Sequence, residues 1–253
     1  MRLVAPLEPD PSAPLAQAHP LVKLGAAAAL MLALFVTVDV VTAGIVTLAL
    51  AMSFPATGLA PAAFARRLAP LAGAAVAIAI LNTLFAADAR GVAGGIAAAL
   101  RLIGISAAGA MAVATIDPTD LADALVQHLH APPRFVIGAL AAWRLAPLFG
   151  QEWQILGLAR RARGIEAERG IVDRLRSFPA RTFGLLVGAI RRATRLALAM
   201  DARGFGRRPC RTLARPRPIR RADWAILTLG IGVALVASLI SVALGTWRPL
   251  LVL

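Results

Sequence analysis

The chain has 253 residues, 59% of them hydrophobic, and its mean hydropathy is +0.75. Soluble domains hold roughly 45–50% apolar residues, so polar residues are too few here to cover a water-soluble surface, and lipid must do the covering. Against 13 Asp+Glu stand 27 Lys+Arg, for a net charge of +14, yet there is no tyrosine and aromatics reach only 5%. Nucleic-acid readers interleave aromatics with basic residues to stack on bases; here the arginines lie between apolar spans, where the positive-inside rule accounts for them.

Residues 1–20 form a Pro-rich tail without the charged start and short apolar run of a cleaved signal. Apolar spans follow at 21–38, 40–55, 70–87 and 92–115, and a last one at 224–244. Each is near the ~20 residues a bilayer-crossing helix needs, the second and third being short, which predicts about five transmembrane helices. Arg2 and His19 precede the first span and Lys23 opens it, Arg66 and Arg67 lie between the second and third, and the large Arg-rich region follows the fourth. That alternation predicts a cytoplasmic N-terminus and Arg-rich region. Arg101, inside the fourth span, is costly in lipid and is expected to face helices or water, as a functional or a packing charge. Gly and Ala crowd the same span and permit close helix contact.

Residues 116–206 read differently. Asp117-Pro118-Thr119-Asp120 is a helix start, with Asp as N-cap and Pro at the first position. A short amphipathic helix follows over 121–129, then a long one over 134–163 with a kink at Pro147, and another over 179–203. In the last, Phe183, Leu186, Val187, Ile190, Ala193, Ala197 and Met200 follow a helical period. These helices are too apolar to stand free in water and too charged to cross a membrane easily, so they are expected to lie along the cytoplasmic surface. The stretch 207–223 is a basic linker into the last span.

Motifs of catalysis are missing. No phosphate-cradling Gly-x-x-x-x-Gly-Lys-Ser/Thr occurs, nor a nucleophile elbow. His128 and His130 have no carboxylate or Cys at ligand spacing and read as helix-terminal histidines; Cys210 is alone, so it builds neither a disulfide nor a Cys-based zinc site. No metal, no cofactor and no enzyme activity are expected of this chain.

Both long helices of the Arg-rich region end alike, in Ala162-Arg163-Gly164 and in Ala202-Arg203-Gly204. With their flanks, LARRARG over 158–164 and MDARGF over 200–205, they resemble the two signatures of the T component of energy-coupling factor (ECF) transporters, which includes subunits paired with cobalt, nickel and biotin uptake. HPLVKL at 19–24 resembles that family's stretch before the first span, though without the second basic residue often found there, and DPTDLADAL at 117–125 resembles its first coupling helix. A third copy, Ala89-Arg90-Gly91, falls in a connection read as outside the membrane and is coincidental.

The resemblance implies an all-α polytopic membrane bundle with a cytoplasmic-side helical coupling domain at 116–206. It implies two ABC-type ATPase subunits as partners, gripping the Arg163 and Arg203 ends, and a small membrane substrate-binding subunit that receives the motion. Phe135, Leu140, Trp143, Phe183, Leu186 and Ile190 are candidates for the apolar surface against that subunit, or for ordinary packing on the bundle. ATP hydrolysis would belong to the partners. The other readings are a conventional ABC permease domain that binds substrate itself and a non-transport membrane scaffold. Which vitamin or metal is carried is not written in this chain.

Overall fold

The computed structural model describes residues 9–85, 91–164, 171–205 and 215–246, and all regular structure among them is helical. In chain order the helices are α1 (Pro14–Gln17), α2 (Pro20–Val36), α3 (Val40–Ser53), a 3-10 turn (Phe54–Thr57), α4 (Pro61–Phe85), α5 (Gly91–Thr115), α6 (Pro118–His128), α7 (Pro133–Ala162), α8 (Ile171–Ala202) and α9 (Arg221–Ala243). Val40–Thr57, Pro61–Phe85, Gly91–Thr115 and Arg221–Ala243 are long and apolar enough to cross a membrane. The apolar Pro20–Val36 helix has 17 residues, about 25 Å at 1.5 Å per residue. The chain is a multi-pass membrane protein.

Local chemistry accounts for the ends. Proline opens α2, α4, α6 and α7, where its missing N–H costs nothing. The Asp39 carboxylate accepts the Thr42 N–H at 2.7 Å and caps α3. Two helices begin earlier than the spacing of prolines suggests. α4 starts at Pro61 and runs through Pro70, which puts Arg66 and Arg67 on its first turns and not in a connection. α8 starts at Ile171 and runs through Pro179, and α7 is likewise unbroken at Pro147. One interior proline removes a single backbone bond, and a long helix absorbs it when the flanking turns are held.

The chain divides into two compact units, residues 1–124 with 217–253, and residues 125–216. In the first, α2, α3, α5 and α9 form a ring in which α2 and α3 each touch both α5 and α9, while α4 packs along α5. Leu30, Leu34, Val46, Leu50, Ala108, Met111 and Ala237 fill its centre. Small residues set the spacing: a Cβ on Gly104 would stand 2.8 Å from Leu34 Cδ1, and one on Gly230 2.8 Å from Ala26 Cβ. Arg101 donates to the Phe35 carbonyl at 2.7 Å and lies 5.5 Å from the Phe35 ring. It serves a carbonyl in the last turn of α2, where no intrahelical donor reaches.

In the second unit α7 and α8 cross antiparallel. Gly157 faces Arg181, Leu156 faces Gly184, and Glu152 faces Gly188 and is ion-paired with Arg192. Trp153 stacks on Phe178 at 5.3 Å with the rings tilted 56°. Arg181 lies 5.7 Å over Trp153, and Arg192 5.7 Å over Phe149, so each cation is held by an aromatic face of the opposite helix.

Candidate functional site: the paired arginine helix ends

Arg163 and Arg203 close α7 and α8 in the same way. The Arg163 N–H donates to Ala159 at 3.3 Å and the Gly164 N–H to Arg161 at 2.9 Å; the Arg203 N–H donates to Ala199 at 3.3 Å and the Gly204 N–H to Asp201 at 2.9 Å. Both glycines are left-handed, Gly164 at φ 70° and Gly204 at φ 76°, a conformation in which a Cβ meets the following carbonyl. At the second end Phe205 N–H reaches Met200 at 3.0 Å, which completes a Schellman terminator. Gly245 ends α9 by the same device, with Thr246 donating to Ser241 at 3.1 Å. The terminator alone is therefore generic; what the first two share is an arginine at the last position before the turn.

Ala162, Arg163, Gly164, Ala202 and Arg203 are exposed, and Gly204 is half-buried. Along the crossing, contacts run from residue 157 down to 149 on α7 as they run from 181 up to 192 on α8. The two chains are antiparallel there, so their C-terminal ends point in opposite directions. At 1.5 Å per residue the two arginines are separated by roughly 40 Å along the helix directions.

The apolar candidates fall on exposed positions of the same two helices. Phe135 is 78% exposed, Trp143 64%, Phe183 68%, Leu186 54% and Ile190 56%; Leu140 is half-buried. Phe183, Leu186 and Ile190 share one face of α8 by their spacing. Exposed aromatics and aliphatics in such a row mark a surface that a partner or lipid covers.

Asp117 opens α6, its carboxylate accepting the Thr119 N–H at 2.6 Å, in keeping with the N-cap read from the sequence. The stretch around His19 and Lys23 proves to be an anchoring point. Lys23 donates to the carbonyls of Ala16 (2.8 Å) and Thr115 (2.7 Å), and the His19 N–H donates to the Asp223 carboxylate at 2.9 Å. Sequence singled out the stretch but named no partner for it, since two of its three partners are roughly 90 and 200 residues away and no local spacing signals them.

Between α2, α3, α5 and α9 lies a cavity of about 550 Å³, walled by Ala26, Leu30, Leu50, Met111 and Val233, with Lys23, Ser53, Thr57 and Thr115 as its polar members. Among the described residues no cluster of three His, Cys, Asp or Glu side chains is placed to hold a metal. His128 sits in the last turn of α6. Ala89 and Arg90, Gly206, and residues 207–214 of the basic linker with Cys210 among them, lie outside the described residues.

The family model described as CbiQ, cobalt transport protein, matches residues 11–212. Two curated relatives carry the name energy-coupling factor transporter transmembrane protein EcfT. One, from Staphylococcus aureus (strain 04-02981), is 31% identical over 159 residues; the other, from Heliobacterium modesticaldum (strain ATCC 51547 / Ice1), is 31% identical over 157 residues. The chain spans 59% of the length of each, and the alignment takes in 59% of this chain. The match over residues 11–212 includes both arginine helix ends and the stretch at His19, so the chain belongs to the CbiQ cobalt transport protein family.

Proposed function

We propose that this chain is the transmembrane coupling subunit of an ECF-type ABC importer for a vitamin or a transition metal. Two ABC-type ATPase subunits would engage the two arginine ends, one through Ala162-Arg163-Gly164 and the other through Ala202-Arg203-Gly204. A guanidinium is a planar, permanently charged fork suited to carboxylate or carbonyl acceptors on such a partner. ATP-driven closure of the ATPases displaces the two ends relative to each other, and α7 and α8 carry that displacement to a separate membrane substrate-binding subunit. Phe135, Leu140, Trp143, Phe183, Leu186 and Ile190 form the surface against it. ATP hydrolysis resides in the partners, and the N-terminus and residues 116–206 face the cytoplasm of a bacterial cell membrane, a reading supported by the arginine distribution.

The observation that carries this reading is an exposed arginine capping the C-terminal end of each long helix, with the two ends pointing opposite ways from one crossing. Two levers leaving one fulcrum in opposite directions suit a pair of ATPases that approach each other.

The test is co-purification and uptake with the ATPase and substrate-binding subunits. Arg163→Ala and Arg203→Ala should each lower ATPase recovery or uptake about tenfold, the size of one charge-assisted contact, while Arg90→Ala leaves both unchanged. Equal tolerance of all three substitutions overturns the assignment.

A further inference from the structure

We propose that Lys23 and Asp223 are positioning residues that clamp together the two points where the chain leaves and re-enters the membrane bundle, giving the coupling helices a fixed base. This rests on the coupling role proposed above.

Lys23 is the sole lysine of the chain and is 5% exposed. Its ammonium donates to Thr115, the last residue of α5, and to Ala16 in α1. Both carbonyls are at helix C-terminal ends, where no intrahelical donor reaches them, and Thr115 stands at the negative end of the long α5 dipole. Only Ile116 separates Thr115 from the Asp117-Pro118 start of α6, so the ammonium fixes the junction through which the chain leaves.

Asp223, also 5% exposed, does the same for the return. Its carboxylate accepts the Arg220 N–H at 2.7 Å and the His19 N–H at 2.9 Å, binding the start of α9 to the residue that precedes α2. Between the two, Arg217 is ion-paired with Asp120 on α6. The outgoing segment (115–120) and the returning segment (217–223) are thus tied to one short stretch, residues 19–23, and to each other. The clamp lies wholly within the first unit; the chain passes to the second after Ala124 and comes back at Arg217.

Removing either charge leaves buried carbonyl or N–H groups without their partner, so these contacts also stabilise the fold. What a satisfied buried polar network adds is a single geometry. A lever needs a fixed base: if the junctions give way, displacement of the arginine ends is absorbed there and does not reach the substrate-binding subunit.

The test uses the full complex in proteoliposomes, with uptake and ATP hydrolysis measured together. Lys23→Met and Asp223→Asn should keep ATPase recovery and hydrolysis while uptake per ATP falls about tenfold, and Lys23→Arg should restore much of it. Because buried substitutions risk misfolding, the half-exposed pair supplies a second arm: Asp120→Asn and Arg217→Gln should each uncouple in part, and the exchanged pair Asp120→Arg with Arg217→Asp should recover coupling. On the purified chain alone, amide exchange at Thr119 and Leu121 should rise about tenfold in Lys23→Met. Unchanged uptake per ATP, or unchanged exchange at those amides, overturns the clamp. Loss of uptake in Arg163→Ala and Arg203→Ala with full uptake in the clamp variants rejects the clamp and keeps the coupling role; full uptake in the arginine variants rejects the role itself.

Discussion

Arg163 and Arg203 occupy the same position in two separately formed helix terminators, each donating its backbone N–H four residues back at 3.3 Å and each followed by a left-handed glycine. The backbone then turns away from the helix axis, and the arginine is left at the end of a rigid rod. This matters for a contact that transmits force, because a frayed last turn would take up the displacement.

Gly164→Ala and Gly204→Ala test that rigidity. No atom lies within 4 Å of the Cβ either would carry, so the whole cost is the left-handed backbone, about 1–2 kcal/mol. Faster amide exchange over the last turn of α7 or α8 is expected, with ordinary exchange at their crossing.

The Glu152–Arg192 ion pair joins α7 and α8 with both side chains a little over a quarter exposed (28% and 29%). Water screens such a pair, so Glu152→Gln should cost only about 0.5–1 kcal/mol. A double-mutant cycle with Arg192→Gln should return a coupling energy of that size, smaller in high salt.

Gly104→Val should destabilise the bundle by about 1–3 kcal/mol, as overpacking does, because its Cβ would meet Leu34 Cδ1 at 2.8 Å and Thr47 Oγ1 at 3.0 Å. Gly44→Ala is the control: nothing stands within 4 Å of that position, and alanine there should hold or raise the melting temperature in detergent.

At the N-terminal segment, Gly58 is left-handed at φ 67°, and a Cβ on it would stand 2.7 Å from Ala13 Cβ and 2.9 Å from Asp10 Cβ. Gly58→Ala should release residues 9–17, seen as new protease cleavage there. Asp10 adds a pH dependence. The Ser12 backbone N–H, then its hydroxyl, hold the Asp10 carboxyl below its ordinary value of 3.8. A carboxyl lowered on folding contributes stability that is fully present above its unfolded pKa and lost as pH falls through its folded one. Cleavage of the segment should therefore be the same at pH 5 and pH 7 and rise only in stronger acid.

The membrane class, the helical fold and the two arginine ends were legible in the chain itself. Each is carried by a short-range signal: hydropathy over about 20 residues, a helical period, and an Arg-Gly pair after an amphipathic run. Prolines misled the reading of starts at Pro70 and Pro179, because a proline marks a break only when nothing else holds the flanking turns. In α4 and α8 the helix begins nine and eight residues earlier.

By itself, then, the sequence determined that this protein lives in a membrane, that it is helical, and that arginine closes two long helices. Only the tertiary structure decided that those helices cross antiparallel, so that the arginines point apart, and that Lys23 binds the end of α5 while Asp223 binds the residue before α2. The physical reason is range. Hydropathy, caps and periods are properties of neighbouring residues, whereas a lysine meeting a carbonyl 92 residues away depends on how the helices pack, which no local pattern encodes.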